Sequence, residues 1–467
     1  MDHNKVTSIT STFNKYDIRS FNKFLDSPWF NSVAELKPLF HLFLSKGSQD
    51  LSREKIYLQV TAKSKYNDKH MRYLVSGLTR CLEDFLACSW LFADEALLLR
   101  LRMKSLAERD CEKSFDYNSR LYSKLSASKK DIDASWYLER FLHSYLSLDY
   151  SHRKDKRKDI LPFDRLMLEL DQFYVAKKLQ LHAGMINAQN VLSAGYNMNL
   201  SDEILALASP EDFKSIPIIA AYYHVVMTLA DSGSEKHFNE LRTLIADHSG
   251  QFPVNELNDL YQYIKNYCIK KINLGEDGYR SVLFDIYREI LGNRKLLKAD
   301  YLSQWEFKNI TTLGLRLGYL EWVKTFIKKY NYFLRPGERR NAYVYNMANW
   351  HFHSRQYADA LKLIQKVEFT DVYYQLDTRS ILLKTYFETG DDEALFFHGA
   401  AFITFLTRNR LVSVYHRSIY KSLVNFTLSL ARAGSDSKRI RKLYEKLALN
   451  LQVADRQWII QETEELL

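Results

Sequence analysis

Tyr345-Asn-Met-Ala-Asn-Trp-His-Phe-His-Ser-Arg-Gln-Tyr357-Ala-Asp-Ala360-Leu-Lys-Leu-Ile364 is the stretch whose reading decides the fold, together with its continuation Ile381-Leu-Leu-Lys-Thr-Tyr386-Phe-Glu-Thr-Gly390-Asp-Asp-Glu-Ala394-Leu395. Each reads as an amphipathic helix, a short polar turn and a second amphipathic helix. Turn-like glycines recur before and after this pair, at Gly195, Gly233, Gly275, Gly318, Gly390 and Gly434, and Arg355 fills the equivalent place between Gly318 and Gly390. Their spacing of roughly 35 to 45 residues is that of helical-hairpin repeats. The expected fold is therefore all-α: an irregular α-solenoid of stacked helical hairpins, preceded by a helical N-terminal region.

Composition agrees. The chain has 467 residues, 46% hydrophobic and 26% charged, so a folded protein of more than one compact core is expected. Fifteen Gly and seven Pro are too few for a turn-rich β protein. The 31 Tyr and 27 Phe suit helix-on-helix packing in which one end of a ring stays wet.

Short helices lead the chain. Ile18, Phe21, Phe24 and Leu25 form an apolar stripe that Ser27-Pro28 ends. Ser32-Val-Ala-Glu35 has the spacing of a capping box ahead of Leu36, Leu39, Phe40 and Phe43, and Gly47 suits the close of that helix. A further helix is expected over Ser52 to Ala62. A long one follows Asn67-Asp68, with Met71, Leu74, Val75, Leu78, Cys81, Leu82, Phe85 and Leu86 on its apolar face. Lys69, Arg72 and Arg80 on that helix raise the alternative of a DNA-reading helix-turn-helix, but the stripe is too long and regular for a short recognition helix.

The dense cationic run Arg153-Lys-Asp-Lys-Arg-Lys158 reads as a solvated loop and joint. It divides the chain into a region 1–150 and a helical-repeat region 160–467, which closes on an amphipathic capping helix with Trp458 and Ile459 on its apolar side. Ser209-Pro210-Glu211-Asp212 reads as a helix start. Ile216 to Ala230 is apolar but too short, and too polar at Tyr222, Tyr223 and His224, to span a bilayer.

Cys81, Cys88, Cys111 and Cys268 have no paired metal spacing, and Cys81 and Cys88 share one helix face as small core residues. No disulfide framework is implied, and the N-terminus Met-Asp-His-Asn-Lys-Val-Thr has no signal-like apolar segment, so a cytoplasmic setting is expected.

No phosphate loop, His-Glu-x-x-His or Gly-x-Ser-x-Gly occurs, so no catalytic residue, metal or cofactor is expected. His351 and His353 point to different faces of one helix. Asp391-Asp392, and likewise Asp131 and Asp133, read as helix starts rather than paired carboxylates.

Residues 305 to about 400 resemble tetratricopeptide repeats. Leu382, Tyr386 and Gly390 match one unit, Met347, Ala348, Tyr357 and Ala360 the unit before it, and Pro336 falls where the preceding unit ends. Leu383 departs from the family's small residue, and Ala394 lies one step early. The resemblance implies a groove that holds a peptide or another protein's helix. In its register Lys308 and Asn346 fall where some members grip a C-terminal carboxylate, but Thr312, Asp377 and Ile381 occupy the remaining positions, so that clamp is expected to be absent. Asn349 and Lys384 face the same side, which makes Lys308, Asn346, Asn349 and Lys384 the candidate partner-binding residues.

The function expected is a non-enzymatic protein-binding scaffold or adaptor. The alternative is a nucleic-acid-binding repeat protein, which the formal net charge of +10 and the many aromatics would suit.

Overall fold

The computed structural model describes residues 3–45, 52–62, 65–153, 163–192, 195–209, 211–230, 233, 235–299, 301–368, 372–450 and 452–467. Every regular element among them is helical. The chain forms two compact units, Met1–Lys178 and Leu179–Leu467. Most of the expected joint at Arg153–Lys158, and also Gly47 and Pro210, lie outside the described residues. Arg153 itself pairs with Asp149 at 2.7 Å.

The first unit is organised by its longest early helix, Asp68–Ala93. The helices His3–Thr10, Lys15–Leu25 and Leu36–Leu44 pack on it, and Arg53–Thr61 packs on Leu36–Leu44. Phe21 is the centre of the resulting core. Its ring lies 4.7 Å from Phe40, 5.2 Å from Phe85 and 6.0 Å from Phe13, all near edge-to-face, the preferred geometry of aromatic pairs. Cys81 is buried in the same cluster, and Cys88 packs against it. The long helix is thus a core element, while Arg72 is spent on an ion pair with Asp68 one turn earlier.

One expectation fails here. Ser32 and Glu35 form no capping box, because the helix starts at Leu36 after a turn and its cap residue Glu35 makes no side-chain capping bond. The box in this region is at Asn14, whose side chain accepts from the Asp17 amide while Asp17 accepts from the Asn14 amide. Reciprocal bonding of that kind satisfies two otherwise orphaned donors.

The second unit is a succession of helix pairs: Pro217–Ala230 with Lys236–His248, Val254–Asn273 with Tyr279–Gly292, Gln304–Arg316 with Leu320–Tyr330, Arg339–His353 with Tyr357–Ile364, Val372–Glu388 with Asp392–Arg408, and Val414–Ala433 with Ser437–Leu449. Arg456–Glu465 follows. From Gln304 onward, the first helix of each pair packs on its own second helix and on the first helix of the next pair. The last five turns each hold a residue at positive φ: Gly275, Gly318, Arg355, Gly390 and Gly434. Arg355, at φ 56°, does without glycine what its neighbours do with it. Gly195 does not share this conformation. Asp391 caps its helix by accepting from the Ala394 amide, and Asp133 does the same for Trp136.

Close approach inside the third pair depends on Gly314. A Cβ there would lie 2.6 Å from Val323 Cγ2 and 3.0 Å from Phe284 Cε2. Alanine is the better helix former by about 1 kcal/mol, but overpacking costs about 1–3 kcal/mol. Gly314→Ala is therefore expected to destabilise the protein by up to about 2 kcal/mol. Urea unfolding measures it, and a stabilised variant would mean that the contact relaxes freely.

Candidate partner-binding face

Four successive first helices, Gln304–Arg316, Arg339–His353, Val372–Glu388 and Val414–Ala433, carry a line of polar side chains through an otherwise apolar interior. At one end Lys308 ion-pairs with Asp377, whose other carboxylate oxygen accepts from the Tyr420 hydroxyl at 2.9 Å. The Lys308 ammonium also lies 5.6–5.9 Å from the ring centroids of Trp305, Tyr345 and Tyr374. That cage offers cation–π stabilisation to a charge removed from water. Burial, reinforced by the Asp377 charge, pushes the Tyr345 and Tyr420 hydroxyls well above their ordinary pKa.

Further along, Asp455 gathers three donors: Lys384 Nζ at 2.7 Å, Ser380 Oγ at 3.1 Å and Arg316 Nη2 at 3.1 Å. Burial alone would raise its pKa, but the Lys384 and Arg316 charges and the two short-range hydrogen bonds outweigh burial and hold the carboxyl well below the usual range. Lys384 is only 7% exposed and lies 5.0 Å over the Phe352 ring. Next to it, burial followed by the Lys384 charge lowers the His353 pKa to about 4, so the ring is neutral near pH 7 and its Nδ1–H donates to the Asn349 carbonyl at 3.0 Å.

The four candidate residues are each engaged or enclosed. Lys308 is neutralised by Asp377, and Lys384 by Asp455. Asn349 is buried. Asn346 is fully buried, with its Nδ2 donating to the Ala342 carbonyl at 2.7 Å and its Oδ1 left without a partner.

What occupies the face is the chain's own segment 453–463. The Ala454 amide donates to the Ile419 carbonyl at 3.1 Å. Asp455 takes the left-handed conformation, φ 47°, which turns its carboxylate inward. Ile459 is buried, and Trp458 packs against both neighbouring apolar clusters. Trp458 Nε1 donates to Glu388 Oε1 at 2.8 Å, and the Tyr357 hydroxyl donates to Glu388 Oε2 at 2.8 Å. Glu462 completes the set: burial first, then the Glu388 charge and a hydrogen bond to it, push its pKa up to about 8. Glu462 is therefore held in its protonated form near neutral pH.

This pair gives the docked helix a pH dependence. The Glu462 pKa is raised above its ordinary 4.5, so its stabilisation is complete below that value and is lost as pH rises through about 8. Thermal stability of the second unit is expected to fall between about pH 4.5 and 8, and Glu462→Gln to flatten that slope. A slope unchanged in the variant would remove the pair as its cause.

Two other buried carboxylates are fully answered by neighbours. Glu169 accepts from Arg140, Arg165 and Ser144 at 2.6–3.1 Å, and Glu256 accepts from Tyr222 at 2.5 Å and Gln180 at 2.8 Å. Among the described residues, no group of three or more His, Cys, Asp or Glu side chains is placed to hold a metal, and no helix is long and apolar enough to cross a membrane. No family model, curated protein or solved structure matches the chain.

Sequence reasoning missed Asp455 and Glu388. Asp455 stands just before a helix and looks like an ordinary cap, and Glu388 looks like a solvated charge in a last helical turn. Only its sequence distance from Lys384, 71 residues, separates Asp455 from the face it completes.

Proposed function

We propose that the second unit is a non-enzymatic protein-binding scaffold, an irregular α-solenoid whose first-helix face is the groove for a peptide or a partner's helix. The observation that carries this reading is the mode in which segment 453–463 lies on that face. An inward carboxylate meets Lys384 and Arg316, an indole N–H meets Glu388, and Ile459 fills an apolar site. Those are the elements of peptide recognition by a helical groove: one charged anchor, one aromatic anchor and apolar burial. A partner with an equivalent acidic-aromatic segment would compete for the same positions.

The test is an affinity pull-down from native lysate with a nuclease-treated arm. Any recovered protein is then purified and titrated against the scaffold at 50 and 200 mM salt. A protein partner should bind with modest salt dependence and compete with a synthetic peptide of residues 450–467. Nucleic acid held through six or more phosphates would instead lose roughly a thousandfold in affinity over that range. Such binding, with no direct protein partner, would overturn the reading.

A further inference from the structure

The described residues form an open surface pocket of about 300 Å³ between the helices Val414–Ala433 and Ser437–Leu449, apart from the face occupied by segment 453–463. Ser429, Arg432 and Ala433 line it from the first helix, and Arg439, Lys442, Leu443 and Lys446 from the second. Arg439, Lys442 and Lys446 follow one another at spacings of three and four, so they share one side of their helix. Four cationic side chains thus converge on a floor made by Leu443 and Ala433.

Their charges are poorly answered. Among the described residues Arg439 ion-pairs only with Asp436, one turn back, at 3.2 Å, and both side chains are exposed to solvent. Such a pair is worth little and leaves most guanidinium donors open. Among the described residues no carboxylate ion-pairs with Arg432, Lys442 or Lys446. Arg432 is instead held 5.2 Å over the Phe396 ring, a contact that orients the guanidinium without neutralising it. The acidic C-terminal helix does not supply the missing charge here. Its Glu464 accepts from the Tyr444 hydroxyl, and Tyr444 projects from the opposite side of the second helix. Arg439 also stands near that helix's N-terminal end, where the backbone dipole adds to the positive potential.

We propose that this cavity binds a small phosphorylated metabolite carrying two or three linked phosphates. Four converging cations match a ligand of that charge. The volume lies at the small end of ligand pockets, too small for a docked helix. The guanidinium groups offer the bidentate donors that phosphate oxygens accept, and the two lysines act as point charges beside them. The apolar floor accommodates a ring attached to the phosphates. The site is independent of the peptide-binding reading: either can fail without the other.

Calorimetric titration of the full chain with ATP, AMP, inorganic tripolyphosphate and a 5′-phosphorylated single-stranded oligonucleotide tests it. ATP and tripolyphosphate are expected to bind one per chain, AMP more weakly than either. Arg439→Gln with Lys442→Gln should weaken ATP and tripolyphosphate by roughly tenfold or more, since two charged hydrogen-bond donors are lost. Both residues are exposed, so the circular dichroism spectrum and Tm should stay at wild-type values. Lys328→Gln with Lys329→Gln, which removes two exposed cations elsewhere, should leave binding unchanged. Three results would each overturn the proposal: no binding of either ATP or tripolyphosphate, an equal loss in the control variant, or oligonucleotide binding with which ATP does not compete.

Discussion

Ala360→Glu is expected to lower the stability of the second unit by more than 3 kcal/mol, the sum of about 1–3 kcal/mol for overpacking and a further term for an unpaired buried charge. Ala360 is fully buried on the short helix Tyr357–Ile364, in a cluster with Tyr345, Ala348, Phe352, Ile364 and Tyr374. A glutamate there must enter this apolar cluster. A fall in Tm of roughly 10 °C would correspond to that loss for a unit of this size. Ala360→Ser, which adds one oxygen, should lose much less. Unchanged thermal stability of the glutamate variant would mean that the helix can slide or rotate away from the core.

The second large effect is expected at Asp455. Asparagine keeps the side-chain shape and tolerates the left-handed backbone, so Asp455→Asn removes the charge and little else. It leaves the nearly inaccessible Lys384 ammonium without its anion. Breaking a buried pair from one side costs about 3–5 kcal/mol, whereas replacing both partners can be nearly neutral. Arg316 is half exposed and water screens it, so its share is small. Lys384→Met combined with Asp455→Asn should therefore recover most of the loss. Urea unfolding and proteolysis of the segment after Asn450 report the effect. A single-variant loss under about 0.5 kcal/mol would rule out the ion pair as the anchor. Lowering the pH should mimic the substitution. The Asp455 pKa is depressed, so its contribution is present above the ordinary carboxylate value and is lost as pH falls through the folded one.

The parts of this fold that are legible in the sequence are those set by neighbours in the chain. Helix pairs follow from apolar periodicity, and turns from glycine. Even Arg355 is placed correctly as a turn residue by its position in the series, against its own conformational preference. Ala360 is legible as a core position because its helix is short and one-sided. The Ser32–Glu35 box fails because a three-residue spacing says nothing about where the first helical hydrogen bond forms. Register groups the four candidate residues onto one face. Their state is set by long-range partners, Asp377 for Lys308 and Asp455 for Lys384, whose pairing leaves no periodic mark. The cationic cavity escaped notice for a related reason. Arg432 and Lys446 lie on different helices, and their convergence is a property of packing.

The contact between Arg316 and Asp455 spans 139 residues and ties the third helix pair to the segment that follows the last one. Arrays of helical repeats ordinarily lose structure from their ends inward, because each repeat leans only on its neighbours. Here segment 453–463 is fastened to three pairs at once, so its release and loosening of the earlier pairs become a single event. The same tie has an order in time. A ribosome delivers Lys384 and Arg316 long before it delivers Asp455, so the pairs from Gln304 to Leu449 emerge with an uncompensated internal charge. Their final consolidation waits for the stretch around Asp455 to leave the exit tunnel.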